Sequence, residues 1–288
     1  MTRNEMKKDI HKSKTNSPSV TIIKPRSGWQ VIDFEELKEY RELFFSLAWR
    51  DVKVMYAQTV LGFLWTIIQP IVQIVLFSII FGKVAKLNTD GIPYVLFSTV
   101  ALIPWNYISQ SMSQSSQSLI SGQYMLGKIY FPRLIFPITP VLSRLISFGI
   151  SLVIIFGTML YYHVLLTINL LFLPIFLILM VLIPTAAGLW LSSLAIRFRD
   201  VQQIMPFFIQ LLMYTAPIIY SASAIPEKYR MLYSLNPVVS VIEGFRACLL
   251  GLPLPWLYIW PGIITGIILF ITGAFYFRRM ERIIVDVI

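Results

Sequence analysis

The chain is poor in the side chains that carry most chemistry. Its 288 residues include one cysteine, Cys248, and two histidines, His11 and His163. A lone cysteine excludes an internal disulfide and a cysteine metal cluster, and two distant histidines do not suggest a metal site. Acidic residues are scarce, fourteen against twenty-four basic ones, and none falls inside a long apolar run. Ion-coupled transporters need a buried Asp, Glu or His near mid-membrane. Any transport by this chain therefore draws its energy from elsewhere. No secretory signal pattern opens the sequence, because the first apolar run starts near Val60, after a long polar leader, and is too long for a signal h-region.

Apolar residues are abundant. They make up 57% of the chain, with a mean hydropathy of +0.72. That composition predicts an all-α integral membrane protein. Six spans are expected, roughly Val60 to Phe81, Ile92 to Gln110, Ile138 to Tyr162, Leu170 to Ile196, Val201 to Tyr220 and Leu257 to Phe277. Each covers about 30 Å or slightly more. Pro174 and Pro184 are expected to bend the fourth. The net charge of +10 sits in tails and loops and is not a nucleic-acid signature.

Residues 1–30 read as a mobile basic tail. Residues 31–57 read as an amphipathic helix lying in the membrane interface, opened by a capping box at Asp33 and Glu36. Leu37, Tyr40, Phe44, Leu47 and Met55 recur on one face, with Glu35, Glu39, Glu42, Ser46, Arg50 and Lys53 opposite. The span domain occupies 58–288. Of the twenty-four basic residues, nineteen fall on the side of the termini and five on the other. The positive-inside rule then places both termini in the cytoplasm.

Two connecting segments stand out. Residues 118–137 form a cytoplasmic elbow in which Tyr124, Lys128, Tyr130, Phe131 and Arg133 are bracketed by Gly122, Gly127, Pro132 and Pro137. Gly122 to Lys128 fits G-x-x-x-x-G-K, but Ile129 stands where a magnesium-binding Ser or Thr is required, and no strand is expected before it. The elbow is better suited to contact another protein. Residues 221–256, on the outer side, carry two apolar pieces around Asn236-Pro237 that are too short to cross a bilayer. They predict short re-entrant or interfacial helices, with Glu227, Arg230, Glu243 and Arg246 among them.

Inside the spans the one ionisable residue is Arg144, placed to snorkel toward the cytoplasmic end. Uncharged polar residues form stripes: Asn106, Gln110, Ser113 and Gln117 on the second span and its extension, Gln203, Gln210 and Tyr214 on the fifth, and Gln69 with Gln73 on the first. Trp65, Trp105, Tyr107 and Tyr220 add rings. Amides, hydroxyls and aromatic faces suit a sugar chain, so these stripes are expected to line a pathway. The competing reading is interhelical hydrogen bonding that glues spans together.

Several motifs, taken in order, resemble the permease subunits of polysaccharide-exporting ATP-binding-cassette transporters. They are Tyr40-Arg41-Glu42-Leu43, Trp49 to Val54, Thr59 to Trp65, Gln69-Pro70, Tyr130-Phe131-Pro132-Arg133, Arg197 to Val201, Asn236-Pro237, Glu243 to Arg246 and Arg278 to Arg282. The resemblance implies a homodimer in a bacterial cytoplasmic membrane, bound to two copies of a separate ATPase that holds ATP and magnesium. This chain itself would bind no cofactor or metal and catalyse no reaction. The implied cargo is an O-antigen, capsule or teichoic-acid polymer, usually carried on a lipid. The elbow, and the amphipathic helix with Arg41 and Arg50, become ATPase-docking surfaces, while Glu227, Arg230, Asn236, Pro237, Glu243 and Arg246 become a lid over the exit. Competing classes are an exporter of drugs or small lipids, a membrane-embedded glycosyl transferase and a structural scaffold. The outer segment offers a transferase only Glu227 and Glu243 as acids.

Single cysteines at Glu5, Asp90, His163, Lys228 and Val285 in a Cys248→Ser background test the orientation. Positions 90, 163 and 228 are expected to react with an impermeant reagent from outside, and 5 and 285 only after permeabilisation. The opposite pattern reverses the topology.

Overall fold

The computed structural model describes residues 38, 40–57, 62–126 and 131–287, the side chains of Leu126 and of 282–287 aside. The basic tail, the capping box at Asp33 and Glu36, and Lys128 and Tyr130 of the elbow lie outside the described residues. Among those described there is no strand. The helices are α1 Arg41–Tyr56, α2 Trp65–Phe77, α3 Tyr94–Ser121, α4 Gln123–Leu126, α5 Ile135–Tyr161, α6 Leu173–Arg197, α7 Asp200–Thr215, α8 Glu227–Ser234, α9 Pro237–Leu250 and α10 Trp256–Val287.

Among the described residues, four stretches are long and apolar enough to cross a membrane: Gly62–Val84, Ile135–Tyr161, Ile168–Arg197 and Trp256–Glu281. Outward-pointing Val153, Ile178 and Ile264 on three of them suit contact with lipid. The second and fifth apolar runs are also helical, with different bounds from those expected. Helix α3 runs on past Gln110 to Ser121, so the elbow begins inside a helix. Helix α7 stops at Thr215 after 16 residues, short of Tyr220. Ala216 is extended, at φ −101 and ψ 153, because it precedes Pro217 and a proline ring disfavours helical geometry in the residue before it. Pro184 lies within α6, but Pro174 sits in its first turn and starts the helix rather than bending it.

Helix α3 is the centre. It is buried on nearly every side from Leu96 to Ile108 and packs between α5 and α6, while α10 covers α6 and α9. Lipid tails give apolar helices little reason to prefer each other, so close approach depends on small residues. Gly188 of α6 meets Ser115 of α3, and Gly244 of α9 meets the ring of Phe176 of α6; a Cβ on either glycine collides with that neighbour. Helix α1 packs its Leu47 and Val52 against the rest of the chain, chiefly along α5. Phe45 and Trp49, one turn apart, form a second apolar surface that stays exposed.

Gly244→Ala and Gly188→Val are expected to destabilise the fold by about 1–3 kcal/mol, the usual cost of forcing atoms into a filled core. Gly149→Ala, where a Cβ meets open space, is the control. Melting of the purified protein in detergent reads the difference. Equal melting temperatures for all three variants contradict this packing.

Candidate functional site

The end of α1 with α2, α3 and α5 encloses a cleft of about 320 Å³ whose lining includes Trp65, Gln69, Asn106, Gln110 and Arg144. This brings part of the expected polar stripe together. Asn106 Nδ2 donates to Gln73 Oε1 at 2.9 Å, so that pair acts as glue between α3 and α2. Arg144 turns onto α3: Nε donates to Gln114 Oε1 at 3.0 Å and Nη1 to Gln110 Oε1 at 2.5 Å. Positions 106, 110 and 114 fall one above another on a helix, so Gln114, absent from the expected stripe of 106, 110, 113 and 117, is the residue that joins Asn106 and Gln110 here. Gln69 and Trp65 are exposed.

Other residues expected on the pathway sit elsewhere. Trp105 is 3% exposed, within the core. Tyr107 touches the cleft, but its hydroxyl donates to Val141 O at 3.0 Å and its ring meets Phe148 edge-on at 5.7 Å. Both are packing residues, since α3 is too deeply enclosed to present them. Gln210 and Tyr214 lie on the outward face of α7, where the one buried residue is Met205, and the Tyr220 hydroxyl donates to Tyr214 O at 3.0 Å. Gln203 of α7 borders a cavity of about 560 Å³ with Leu119 and Ile120 at the end of α3, whereas the expected α3 residues Asn106, Gln110 and Gln117 border the two other clefts.

The elbow departs from expectation as well. Phe131 is 4% exposed; its ring lies 5.3 Å from that of Phe136, in a cluster with Leu47 and Phe277. It anchors the elbow inside its own chain and is not offered outward. Pro132 is buried beside it, and Arg133 Nη1 donates to Glu281 O of α10 at 2.7 Å. Tyr124, 77% exposed, is the aromatic side chain that projects. Arg41 is exposed, and Arg50 pairs with Asp51 at 2.8 Å. Arg50, Asp51, Gln117 and Tyr124 border a groove of about 570 Å³ between α1, α3 and α5. Helix α4 follows the end of α3 directly at Gly122, so the strand-to-helix context of a phosphate loop is missing among the described residues.

On the other side of the bundle, α8 and α9 flank Asn236-Pro237 as expected. Asn236 caps α9 by accepting from Val238 N at 3.1 Å, with Pro237 in the first turn. Arg246 is 2% exposed. Its Nη1 donates to Glu243 Oε1 at 2.9 Å, Nη2 to Ile218 O at 3.5 Å, and its guanidinium lies 3.6 Å above the ring of Phe97. Burial pulls the guanidinium pKa below its ordinary value and the Glu243 carboxylate opposes that. Burial likewise pushes the Tyr233 phenol up. Arg230 holds its own segment through Nε to Ile225 O at 2.9 Å and lies 4.0 Å from exposed Glu227. A cavity of about 290 Å³ is bordered by Asp90, Arg230, Tyr233 and Glu243.

Sequence reasoning missed Asp90. It accepts hydrogen bonds from Ser221 Oγ at 2.5 Å and Ser223 Oγ at 2.9 Å, tying the loop before α3 to the segment before α8. The available signal was the Asp90-Gly91 turn, where Asp90 adopts φ 54.

The ABC-2 type transporter family matches residues 42–250. An O-antigen export system permease protein RfbA of Klebsiella pneumoniae is 29% identical over 233 residues, covering 81% of this chain and 89% of that protein. An RfbA of Myxococcus xanthus is 28% identical over 74% of this chain and 82% of its own. The polysialic acid transport protein KpsM of Escherichia coli is 24% identical over 82% of this chain and 92% of its own.

Glu243→Ala leaves a sealed guanidinium without its counter-charge, and the expected cost is about 3–5 kcal/mol. Replacing both members with uncharged residues, Glu243→Gln with Arg246→Met, is expected to recover most of it. Thermal melting and yield of intact protein in detergent read both. A single variant as stable as the parent removes the clamp.

Proposed function

The chain belongs to the ABC-2 type transporter family, and on that premise we propose that it is the membrane subunit of an ATP-driven exporter. Its cargo is a lipid-linked cell-surface polysaccharide such as O-antigen, moved across a bacterial inner membrane. It works as a homodimer with two copies of a separate ATPase chain, which supplies ATP and magnesium binding. The observation that carries this reading is the extended likeness to permeases named for O-antigen and polysialic acid export. The interior agrees with it: the apolar spans hold no carboxylate to couple an ion gradient, so the driving force comes from a partner.

In this reading the chain crosses the membrane six times. Helix α3 supplies the second crossing, and α7 with the segment up to Tyr220 supplies the fifth. Both termini face the cytoplasm. The ATPase docks on the groove beside Arg50 and Tyr124, with Arg41 at the outer end of α1. Phe131 and Arg133 tie their end of the elbow to the chain's own core and to α10, and Tyr124 stands on α4 directly after α3, so that a push at either place reaches the helices. The α8–α9 pair covers the exit.

Loss of this chain from its own cell is expected to remove surface polysaccharide while lipid-linked polymer accumulates inside. Unchanged surface polymer with a defect in a small lipid or drug moves the cargo to those classes. The purified chain alone is expected to show no saturable ATP binding. Saturable binding that Lys128→Ala abolishes restores the phosphate-loop reading of the elbow.

A further inference from the structure

We propose that the cleft at Arg144 is a binding site for the anionic phosphate headgroup of a lipid, entered from the cytoplasmic leaflet. Arg144 sits nine residues into α5 from its elbow end, about 13 Å along the helix axis. In the proposed topology the elbow end of α5 is its cytoplasmic end. Among the described residues no carboxylate pairs with it: the four ion pairs present use Arg50, Arg230, Arg246 and Arg278. The nearby acid on α1, Asp51, is held by Arg50. Gln110 and Gln114 satisfy two donors of Arg144 and supply no negative charge. Its Nη2 makes no hydrogen bond to a described residue, and the side chain borders the cleft.

An unneutralised guanidinium at membrane depth is costly, and it persists where a counter-ion arrives from outside the chain. Three features select a lipid phosphate as that counter-ion. The cleft wall is polar but its hydroxyls are engaged, Tyr56 with Ser147 at 2.9 Å, Thr66 Oγ1 donating to the Tyr56 hydroxyl at 3.4 Å and Ser151 Oγ to Ser147 O at 2.9 Å, so the guanidinium is the group left to meet an oxyanion. Phe63 and Leu64, between Gly62 and Trp65 of the cleft wall, are exposed apolar side chains on which a hydrocarbon tail can lie. Met55 borders both this cleft and the larger groove that holds Arg50 and Tyr124, so the two cavities adjoin along α1. A soluble anion uses the charge but not the apolar surface of Phe63 and Leu64.

The inference needs the membrane placement of the proposed function and not its cargo. The shared chemistry fits a polyprenyl diphosphate carrying cargo or a resident phospholipid. Full-length protein in neutral detergent is titrated with undecaprenyl diphosphate, undecaprenol, dioleoyl phosphatidylglycerol and dioleoyl phosphatidylcholine, with binding read by native mass spectrometry. The charged polyprenyl lipid is expected to bind roughly ten-fold or more tighter than undecaprenol, the worth of one charge-assisted hydrogen bond. Arg144→Gln is expected to abolish that preference and Arg144→Lys to keep part of it. Phosphatidylglycerol binding as tightly as the diphosphate assigns the site to a resident anionic lipid; weaker binding assigns it to the carrier. Equal binding of charged and neutral lipids by the parent overturns the site without any variant, as does an undiminished preference in Arg144→Gln. Export that continues without a headgroup preference sinks this site and leaves the proposed function standing. A preference without polymer export does the reverse.

Discussion

A bilayer core offers no water, so the backbone groups of a spanning helix find their partners within the protein, and most buried side-chain polar atoms do the same, Ser111 Oγ of α3 being an exception. Helix α3 carries more such atoms than any of its neighbours, and the arrangement around it follows from satisfying them. Tyr107 bonds to Val141 and Ser115 to Pro137, which fixes α5 along one side. Asn106 bonds to Gln73 and brings in α2. Gln110 and Gln114 take Arg144. Close approach of Gly188 brings α6 in from another side. The apolar side chains fill what these contacts leave, because lipid tails would hold them almost as well.

Two arginines show how differently that constraint can be met. Arg246 is sealed, with a carboxylate at 2.9 Å, an aromatic face at 3.6 Å and a backbone carbonyl at 3.5 Å. Its charge is neutralised locally, and the group serves to hold α9, the start of α3 and residues 216–219 together. Arg144 has amides and a cleft. A structural arginine at that position would be expected to bring a carboxylate with it, since a buried charge without one costs several kcal/mol in typical proteins. The difference between the two is a difference between a rivet and a receptor.

Much of this was legible in the sequence because it depends on composition along one element. The long apolar runs, the break at Asn236-Pro237 and the Gln/Asn ladder on α3 all follow from spacing or from proline geometry. The early end of α7 was equally visible in Ala216-Pro217, but the run stays apolar to Tyr220, and composition outweighed the local rule. What could not be read was burial set by distant chain. Phe131 and Trp105 are aromatic residues that suit an interface or a pathway, and only the positions of α1, α6 and α10 show that they are enclosed. The Asp90 bond to Ser221 crosses 131 residues of sequence and leaves no periodic trace.

The same distribution of contacts sorts the helices by how freely they can move. Helices α3, α5, α6 and α9 share a continuous buried core, so displacing one displaces the others. Helix α2 buries only Pro70 and Ile74, and α7 only Met205. Elements with few buried contacts open at low cost, and moving parts come from that end of the range. Helix α2 also contains Pro70 and ends in a π-helical segment, Ser78–Val84, two features that let a helix bend without losing its place. Both α2 and α7 carry exposed polar residues, Gln69 on the first and Gln210 with Tyr214 on the second. In a single chain these residues face away from the core and from each other's cavities. In the proposed homodimer, α2 and α7 are the surfaces suited to meet a second copy, with the α3 body behind them.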